Sequence, residues 1–487
     1  MIAPLLLCIA PLQDADEAYT TWTRFRGPNG SGVLEGAPLP GSLDRDGALR
    51  WRTPLPGGHS SPVLWRGRVY LTALDGEALV TLCLDADSGA VLWRREAPRP
   101  RAVEVDGRNH PASPTPVVGP EGVFVFFPDF GVLAYDHLAE ELWRVPLGPF
   151  DNVYGMGASP ILHDGRVLLA CDQSLGSYLV ALDAATGEEL WRADRPRAKS
   201  GHCTPILCPL DTTKDGLDAE VLLPGSFFLD AYDPRTGDVR WSAGGLSFEM
   251  KSVPILWGDL VLTNGYGSPM NQPGNQITPP SFAEVVAERD ADGDGVISRE
   301  EMPQNRAAAW FDFVDLDRSG ALDARDWAYL EQALASLNGL LAFRLGGGSG
   351  SEEPLAWSYR RAVPQLPSPV VHRETLYVLG DAGGIVTTFR PETGEVLEKG
   401  RLEGANDTFY ASPVAGDGKV YFVSEHGLAV VLAAGGGLEP VWSGDLGENV
   451  YATPALAPGR VYVRTTEALY CFGAGDGRLG PPASTDR

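Results

Sequence analysis

Apolar and polar residues alternate along this chain in short runs, and the runs repeat. LVALDAATGEELW, from Leu179 to Trp191, reads as an aliphatic strand, an Asp-Ala-Ala-Thr-Gly turn and a second strand closed by Trp. VTLCLDADSGAVLW ends at Trp93, VLAYDHLAEELW at Trp143, FFLDAYDPRTGDVRW at Trp241 and IVTTFRPETGEVL at Leu397. Looser copies contain Trp357 and Trp442. A second signal precedes each of these: a small residue and Pro, a few apolar residues, a Gly- or Asp-containing turn, and an alternating strand. The eight prolines are Pro62, Pro116, Pro160, Pro205, Pro254, Pro369, Pro413 and Pro454, spaced about 45 residues apart except for one gap of 115. A unit of this size cannot bury both its faces alone and needs neighbours.

Each unit predicts four short strands: one after the Pro, one of VYL type, one of LVALD type and one carrying the Trp. Four strands at this period predict an all-β, eight-bladed β-propeller of four-stranded blades. Pro is tolerated where a strand begins, and the Trp supplies a broad apolar plate between blades. The last unit lacks its Trp strand, while GALRWRTPL, from Gly47 to Leu55, stands unclaimed before the first. Pairing the two closes the ring and removes its free edges. The propeller then occupies 47–268 and 340–473, after an extension over 18–46 and before a tail over 474–487.

The long gap predicts an insertion, 269–339, between the second and third strands of blade five. It contains DADGDGVISREE from Asp290 and DLDRSGALDARD from Asp315. In the first loop Asp290, Asp292, Asp294, the Val296 carbonyl, Ser298 and Glu301 fall at positions 1, 3, 5, 7, 9 and 12 of an EF-hand, with Gly295 at 6. Ca²⁺ takes six to eight oxygens around such a sharp turn. In the second, Asp315, Asp317, Ser319, the Ala321 carbonyl, Asp323 and Asp326 take the same places, with Gly320 at 6. Asp326 is one methylene shorter than Glu, so this loop is expected to bind Ca²⁺ more weakly. Phe282, Phe311 and Phe313 have the spacing of helix residues that pack such a pair, so a small α-helical EF-hand subdomain is expected.

Innermost strands of a propeller start around the central channel. The residue three before each blade proline should therefore approach a common axis: His59, Ser113, Gly157, His202, Lys251, Leu366, Tyr410 and Tyr451. His59, His202, Lys251, Tyr410 and Tyr451, with Glu249 nearby, are the candidate ligand-binding residues, because a channel mouth is concave. Cys203, adjacent to His202 on a strand, should face the other way. No catalytic grouping stands out.

Charge and cysteine usage narrow the partners. A net charge of -25 argues against nucleic acid, leaving a protein, a peptide or a small neutral or cationic ligand. Six cysteines in 487 residues are not a disulfide scaffold. The apolar start, with acidic residues following Leu12, is expected to be an export signal over 1–17, although it carries no early Lys or Arg. No later segment is apolar for long enough to span a bilayer.

On the D-A-x-x-G-x-x-x-W elements at Asp85–Trp93 and Asp183–Trp191, and their D-P counterpart at Asp233–Trp241, the chain resembles the pyrroloquinoline-quinone (PQQ) repeat family from about Ala48 to Gly473. WTRFRGPNGSGV, Trp22 to Val33, is similar to an opening found in exported bacterial propellers of this group. The resemblance implies a bacterial protein of the periplasm or cell exterior. It also implies one of two roles: a non-enzymatic scaffold, as in outer-membrane β-barrel assembly, or a PQQ-dependent oxidoreductase acting on an alcohol or sugar. The quinoprotein members carry a vicinal disulfide and an Asn/Glu/Asp calcium site; this sequence has no Cys-Cys pair. A calcium-binding, non-catalytic binding or scaffold protein is the expected function, with the oxidoreductase as the alternative.

Overall fold

The computed structural model describes residues 22–210, 216–302, 311–345 and 354–473. The expected export signal and the tail lie outside these residues. Eight sheets, each built on four antiparallel strands, make up the ring. Blade 1 spans 63–97, blade 2 117–146, blade 3 161–194, blade 4 206–244, blade 5 255–359, blade 6 370–401, blade 7 414–445 and blade 8 455–473. Blade 8 takes its outermost strand from the other end of the chain: Leu49–Pro54 pairs antiparallel with Ala468–Gly473, placing Trp51 opposite Cys471. Closure therefore uses backbone hydrogen bonds between residues more than 400 apart.

Within a blade, burial falls from the middle strands outwards. Gly122–Phe127 and Gly131–Tyr135 in blade 2 are buried throughout, because both faces of these strands meet neighbouring blades. Outer strands such as Val91–Ala97 are largely exposed. The insertion leaves blade 5 intact, since Leu260–Gly265 and Gly339–Arg344 pair directly, with Thr263 opposite Leu341.

The repeated glycine and tryptophan form one contact between blades. A Cβ on Gly89 would lie 2.5 Å from the Trp51 ring, one on Gly187 2.7 Å from Trp143, one on Gly237 2.5 Å from Trp191, and one on Gly394 2.5 Å from Trp357. In each case the glycine belongs to the turn of the following blade, so the Trp of one blade lies flat under the turn of the next. The indole N–H then donates to a carbonyl in that turn: Trp51 to Ala86 at 3.2 Å, Trp143 to Ala184 at 2.9 Å, Trp191 to Pro234 at 3.0 Å and Trp357 to Pro391 at 2.9 Å. These glycines also have φ near +75°, a conformation that strains any residue with a Cβ. The turn's Asp holds it in shape. Asp183 Oδ1 accepts the Ala185 and Thr186 N–H groups at 3.0 and 2.8 Å.

The stretch 22–34 is more than an extension. It crosses one end of the channel and is held by blade after blade. The Trp22 carbonyl accepts from Leu64 N–H of blade 1, and that of Thr23 from Val118 of blade 2. Asn29 exchanges two hydrogen bonds with Leu207 of blade 4, at 2.6 and 2.8 Å. Val33–Leu34 pairs in parallel with Val414–Gly416, adding a fifth strand to blade 7. Arg26 is fully buried. Its guanidinium donates to the carbonyls of Gly30, Ser31, Ser368, Pro369 and Pro413. One side chain thus ties blades 6 and 7 to the crossing segment.

Gly237→Ala is expected to lower stability by about 3 kcal/mol, combining left-handed strain with a clash against Trp191. Gly165 has a similar φ of +67° with nothing within 4 Å of a Cβ, so Gly165→Ala should cost about 1 kcal/mol. Urea unfolding midpoints of the two variants check the difference.

Candidate functional site

The eight positions three residues before the blade prolines all line one cavity at the channel mouth, about 180 Å³ in volume, with Phe25 of the crossing segment also in its wall. The volume suits one ring or one side chain rather than an extended ligand. On one side His59 stacks on Tyr451, ring centroids 4.0 Å apart and planes within 10°, and Tyr410 stacks on Tyr451 at 5.1 Å. On the other, the Lys251 ammonium lies 4.3 Å above the centre of the Tyr154 ring and the Arg108 guanidinium 5.3 Å from it. The rim is thus built of aromatic faces and cations, a pairing that attracts through the ring quadrupole.

Most charges at the rim are already paired. Lys251 Nζ is 2.6 Å from Glu249 Oε2, and Arg108 forms a two-pronged contact with Asp106 at 2.6 and 2.9 Å. The Arg108 hydrogen bond holds the Asp106 carboxyl down at about 2. Glu249 also accepts from Tyr154 Oη at 3.3 Å, so this residue supports the wall without lining the cavity. Tyr451 Oη donates to Glu425 at 2.8 Å. The histidines are neutral. Burial, with His110 and Arg464 nearby, pulls His59 down to about 3, and burial with Lys251 pulls His202 to about 3. His202 Nε2 is buried and meets no partner among the described residues.

Beneath the rim is a ring that the sequence reading missed. In seven blades the residue before the proline is Ser or Thr, and its hydroxyl oxygen accepts a backbone N–H from the neighbouring blade. Ser61 N–H donates to Thr115, Thr115 to Ser159, Ser159 to Thr204, Ser368 to Ser412, Ser412 to Thr453 and Thr453 to Ser61, at 2.9–3.0 Å. Val253 N–H donates to Ser368 at 3.0 Å but has no hydroxyl to offer Thr204. The signal was present as Ser-Pro or Thr-Pro repeated around the chain, two residues after each rim position and so on the same strand face.

At the edge of the mouth, Asp407, Glu425 and His426 place ligand atoms within 4.8 Å of one another. Asp407 accepts from Ser424 Oγ, Thr408 N–H, His426 N–H and the His426 ring, at 2.6–2.9 Å. Burial would raise its carboxyl, but these bonds outweigh burial and hold it near 2. The carboxylate stands between the serine and the histidine, so it clamps a loop and leaves no Ser–His contact for nucleophilic chemistry. Cys83, Cys171, Cys203, Cys208 and Cys471 are free and buried, and burial raises every one of these thiols.

The insertion docks beside the mouth. Its helices are α1 (Phe282–Arg289), α2 (Phe311–Val314) and α3 (Ala324–Ala335). Phe313 packs edge-on against Phe248 at 5.5 Å and Tyr329 against Phe227 at 5.3 Å. The two acidic loops are joined by an antiparallel pair, Ile297 opposite Leu322 and Ser298 opposite Ala321. Their bonding is alike. Glu301 accepts from Ala291 and Ser298 N–H at 2.7 and 2.9 Å, and Asp326 from Leu316 and Asp323 N–H at 2.8 and 2.9 Å. Gly295 and Gly320 take φ of +85° and +84°. Asp290, Asp292 and Glu301 bring ligand oxygens within 4.8 Å of one another, as do Asp315, Asp317 and Asp326.

The loops differ in what else their groups do. Asp294 Oδ1 accepts Val296 N–H at 3.0 Å. In the second loop Ser319 Oγ donates to the Ala321 carbonyl at 2.7 Å, Asp323 caps α3, and Arg325 pairs with both Asp317 and Asp323 at 3.1 Å.

Comparison with known proteins gives the family. The family model described as outer membrane protein assembly factor BamB matches residues 41–153, 83–267 and 332–479. The chain belongs to this family of PQQ-like repeat propellers. The curated quinohemoprotein alcohol dehydrogenase ADH IIB of Pseudomonas putida is 30% identical over 122 residues, which cover 24% of this chain but only 17% of that enzyme. Among solved structures, BamB from Moraxella catarrhalis matches with a TM-score of 0.51 at 11% identity, covering 87% of this chain and 100% of its own. A europium-containing methanol dehydrogenase matches at 0.57 and 11%, covering 93% and 98%. The quinohemoprotein alcohol dehydrogenase of Comamonas testosteroni matches at 0.55 and 13%, covering 97% and 83%. At these identities the likeness is one of fold, shared by scaffold and enzyme alike.

Because His59 and His202 are held far below the ordinary imidazole value, the unfolded chain binds more protons than the folded one between about pH 6.5 and 3. Stability should be full above that window and fall through it as pH drops. In NMR titration the two imidazoles should stay neutral to pH 5, while His426, raised by its hydrogen bond to Asp407, should protonate first.

Proposed function

We propose that this protein is an exported, calcium-binding propeller that acts as a non-catalytic binding or scaffold protein, receiving a peptide or small ligand at the channel mouth. The observation that carries this reading is the wall of the mouth. Its rings are stacked and most of its charges paired, which makes a rigid aromatic recognition surface. Candidate general bases are held neutral or bonded to structural partners, and among the described residues none is hydrogen-bonded to a Ser or Thr hydroxyl of the cavity. A location in the periplasm or outside the cell is supported by the family match. Among the described residues no helix is long and apolar enough to cross a membrane.

The insertion is read as an EF-hand pair. Both loops combine a carboxylate cluster with a positive-φ glycine and the paired strand that joins such loops. Asp290, Asp292, Asp294, the Val296 carbonyl, Ser298 and Glu301 would hold one Ca²⁺; Asp315, Asp317, Ser319, the Ala321 carbonyl, Asp323 and Asp326 would hold the other more weakly. The ranking rests on the shorter Asp326 and on Arg325, which already neutralises two of the second loop's carboxylates.

The oxidoreductase reading is favoured by the local match to the alcohol dehydrogenase. The groups at the mouth do not fit a quinone cofactor held as the resemblance implies. The five described cysteines offer no adjacent pair, and Glu249 is spent on Lys251 and Tyr154.

Calcium titration should show one tighter and one weaker site. Glu301→Gln should abolish the tighter one and Asp326→Asn only the weaker; equal losses would overturn the ranking. Native mass spectrometry of the protein isolated from its own cells should show an adduct that Tyr451→Ala loses. An adduct of PQQ mass, with dye reduction on adding an alcohol, would establish the oxidoreductase reading instead.

A further inference from the structure

The cavity at the mouth has an excess of hydrogen-bond donors that the paired rim above it does not explain. Ser61, Thr115, Ser159, Ser368, Ser412 and Thr453 line it. Each is at least nine-tenths buried, and each hydroxyl oxygen is engaged by a neighbouring blade's N–H. That contact uses the oxygen as acceptor and leaves the O–H proton to donate elsewhere. Among the described residues none of the six finds an acceptor. Carbonyls that could have served are taken by arginines. Arg26 binds those of Ser368, Pro369 and Pro413, Arg24 that of Pro205, and Arg464 those of Ser60 and Thr72.

These three guanidiniums lie next to the collar. All are buried, each binds a carbonyl of a collar residue or its chain neighbour, and none has a carboxylate partner among the described residues. Arg24 Nε meets no acceptor at all. Desolvation pulls the three down to about 9, which still leaves them charged at neutral pH. At the rim Arg108 and Lys251 are cancelled by Asp106 and Glu249. Asp381, held by Gln365 and Leu366 N–H, Glu425, held by Tyr451, and Asp407, held by Ser424 and His426, keep carboxylates at the mouth, and among the described residues none of them is bonded to a collar hydroxyl. A protein of net charge -25 therefore keeps a donor-rich collar at its centre, with three buried guanidiniums bonded to neighbouring carbonyls, where low dielectric strengthens their field.

We propose that the collar receives a small anionic head group, a carboxylate, on the channel axis, its oxygens accepting from the Ser and Thr hydroxyls while the stacked rings of His59, Tyr451 and Tyr410 flank whatever the carboxylate is attached to. This rests on the mouth being a binding face and names the chemistry it selects. It departs from the neutral or cationic ligand suggested by net charge, because the collar offers hydroxyl donors beside buried guanidiniums.

Benzoate and benzamide are matched in shape and differ in charge. Calorimetric titration of the intact protein, in buffer free of chloride and acetate, should show benzoate binding at least tenfold more tightly than benzamide. Ser412→Ala and Thr453→Val should each weaken benzoate several-fold and leave benzamide unchanged. Equal affinities in the unmutated protein, preference for benzamide, or no binding of either would overturn the proposal, and none of these depends on a variant folding. The Tyr451-dependent adduct decides separately whether the mouth binds anything, so a mouth that holds an adduct but does not discriminate benzoate fails here alone.

Discussion

One contact recurs at four of the eight blade junctions and sets how those blades meet: a tryptophan lying under the glycine turn of the next blade. A four-stranded sheet with two apolar faces is unstable in water, and stacking eight of them around an axis buries those faces. The Trp plate supplies area, the missing Cβ of the glycine allows the approach to within van der Waals contact, and the indole N–H satisfies a turn carbonyl that would otherwise be covered. Turn and plate lie in different blades, so neither residue is useful without the other. This couples adjacent repeats and makes closure cooperative.

The second constraint is the channel. Eight strands converging on an axis leave a hole, and here residues 22–34 cross one end of it. Arg26 does this by hydrogen bonding to carbonyls of blades 6 and 7, which places a full positive charge where no carboxylate neutralises it. The collar of hydroxyls links neighbouring blades by the complementary pattern, accepting N–H groups and retaining protons. Structural needs at the bottom of the mouth thus leave a collar whose hydroxyl protons meet no acceptor among the described residues. The aromatic rim above is separate chemistry, built from residues two positions earlier on the same strands.

Much of the architecture was legible. The spacing of Pro62 to Pro454 marked eight blades, the orphan strand around Trp51 marked the closure, and the 115-residue gap marked where blade 5 is interrupted. The rim positions were legible because strand period places residues three before each proline on one face. The collar was visible as Ser-Pro and Thr-Pro pairs but carried no meaning until the next blade's N–H groups were in place. The role of Trp22 to Leu34 was hidden, since its partners Leu64, Val118, Leu207 and Ala415 are scattered through the chain and no local pattern announces them.

Local chemistry and periodicity therefore determined the blades, their number, the ring's closure and the acidic loops, because each is written in residues close together or in a repeat that declares itself. Tertiary structure alone decided what converges. Pairing Lys251 with Glu249, stacking His59 on Tyr451, and setting Arg24, Arg26 and Arg464 around the hydroxyl collar are matters of distance between residues tens to hundreds of positions apart. Net charge described the chain as a whole; the folded ring, by excluding water and choosing neighbours, set which donors at its centre meet no acceptor among the described residues.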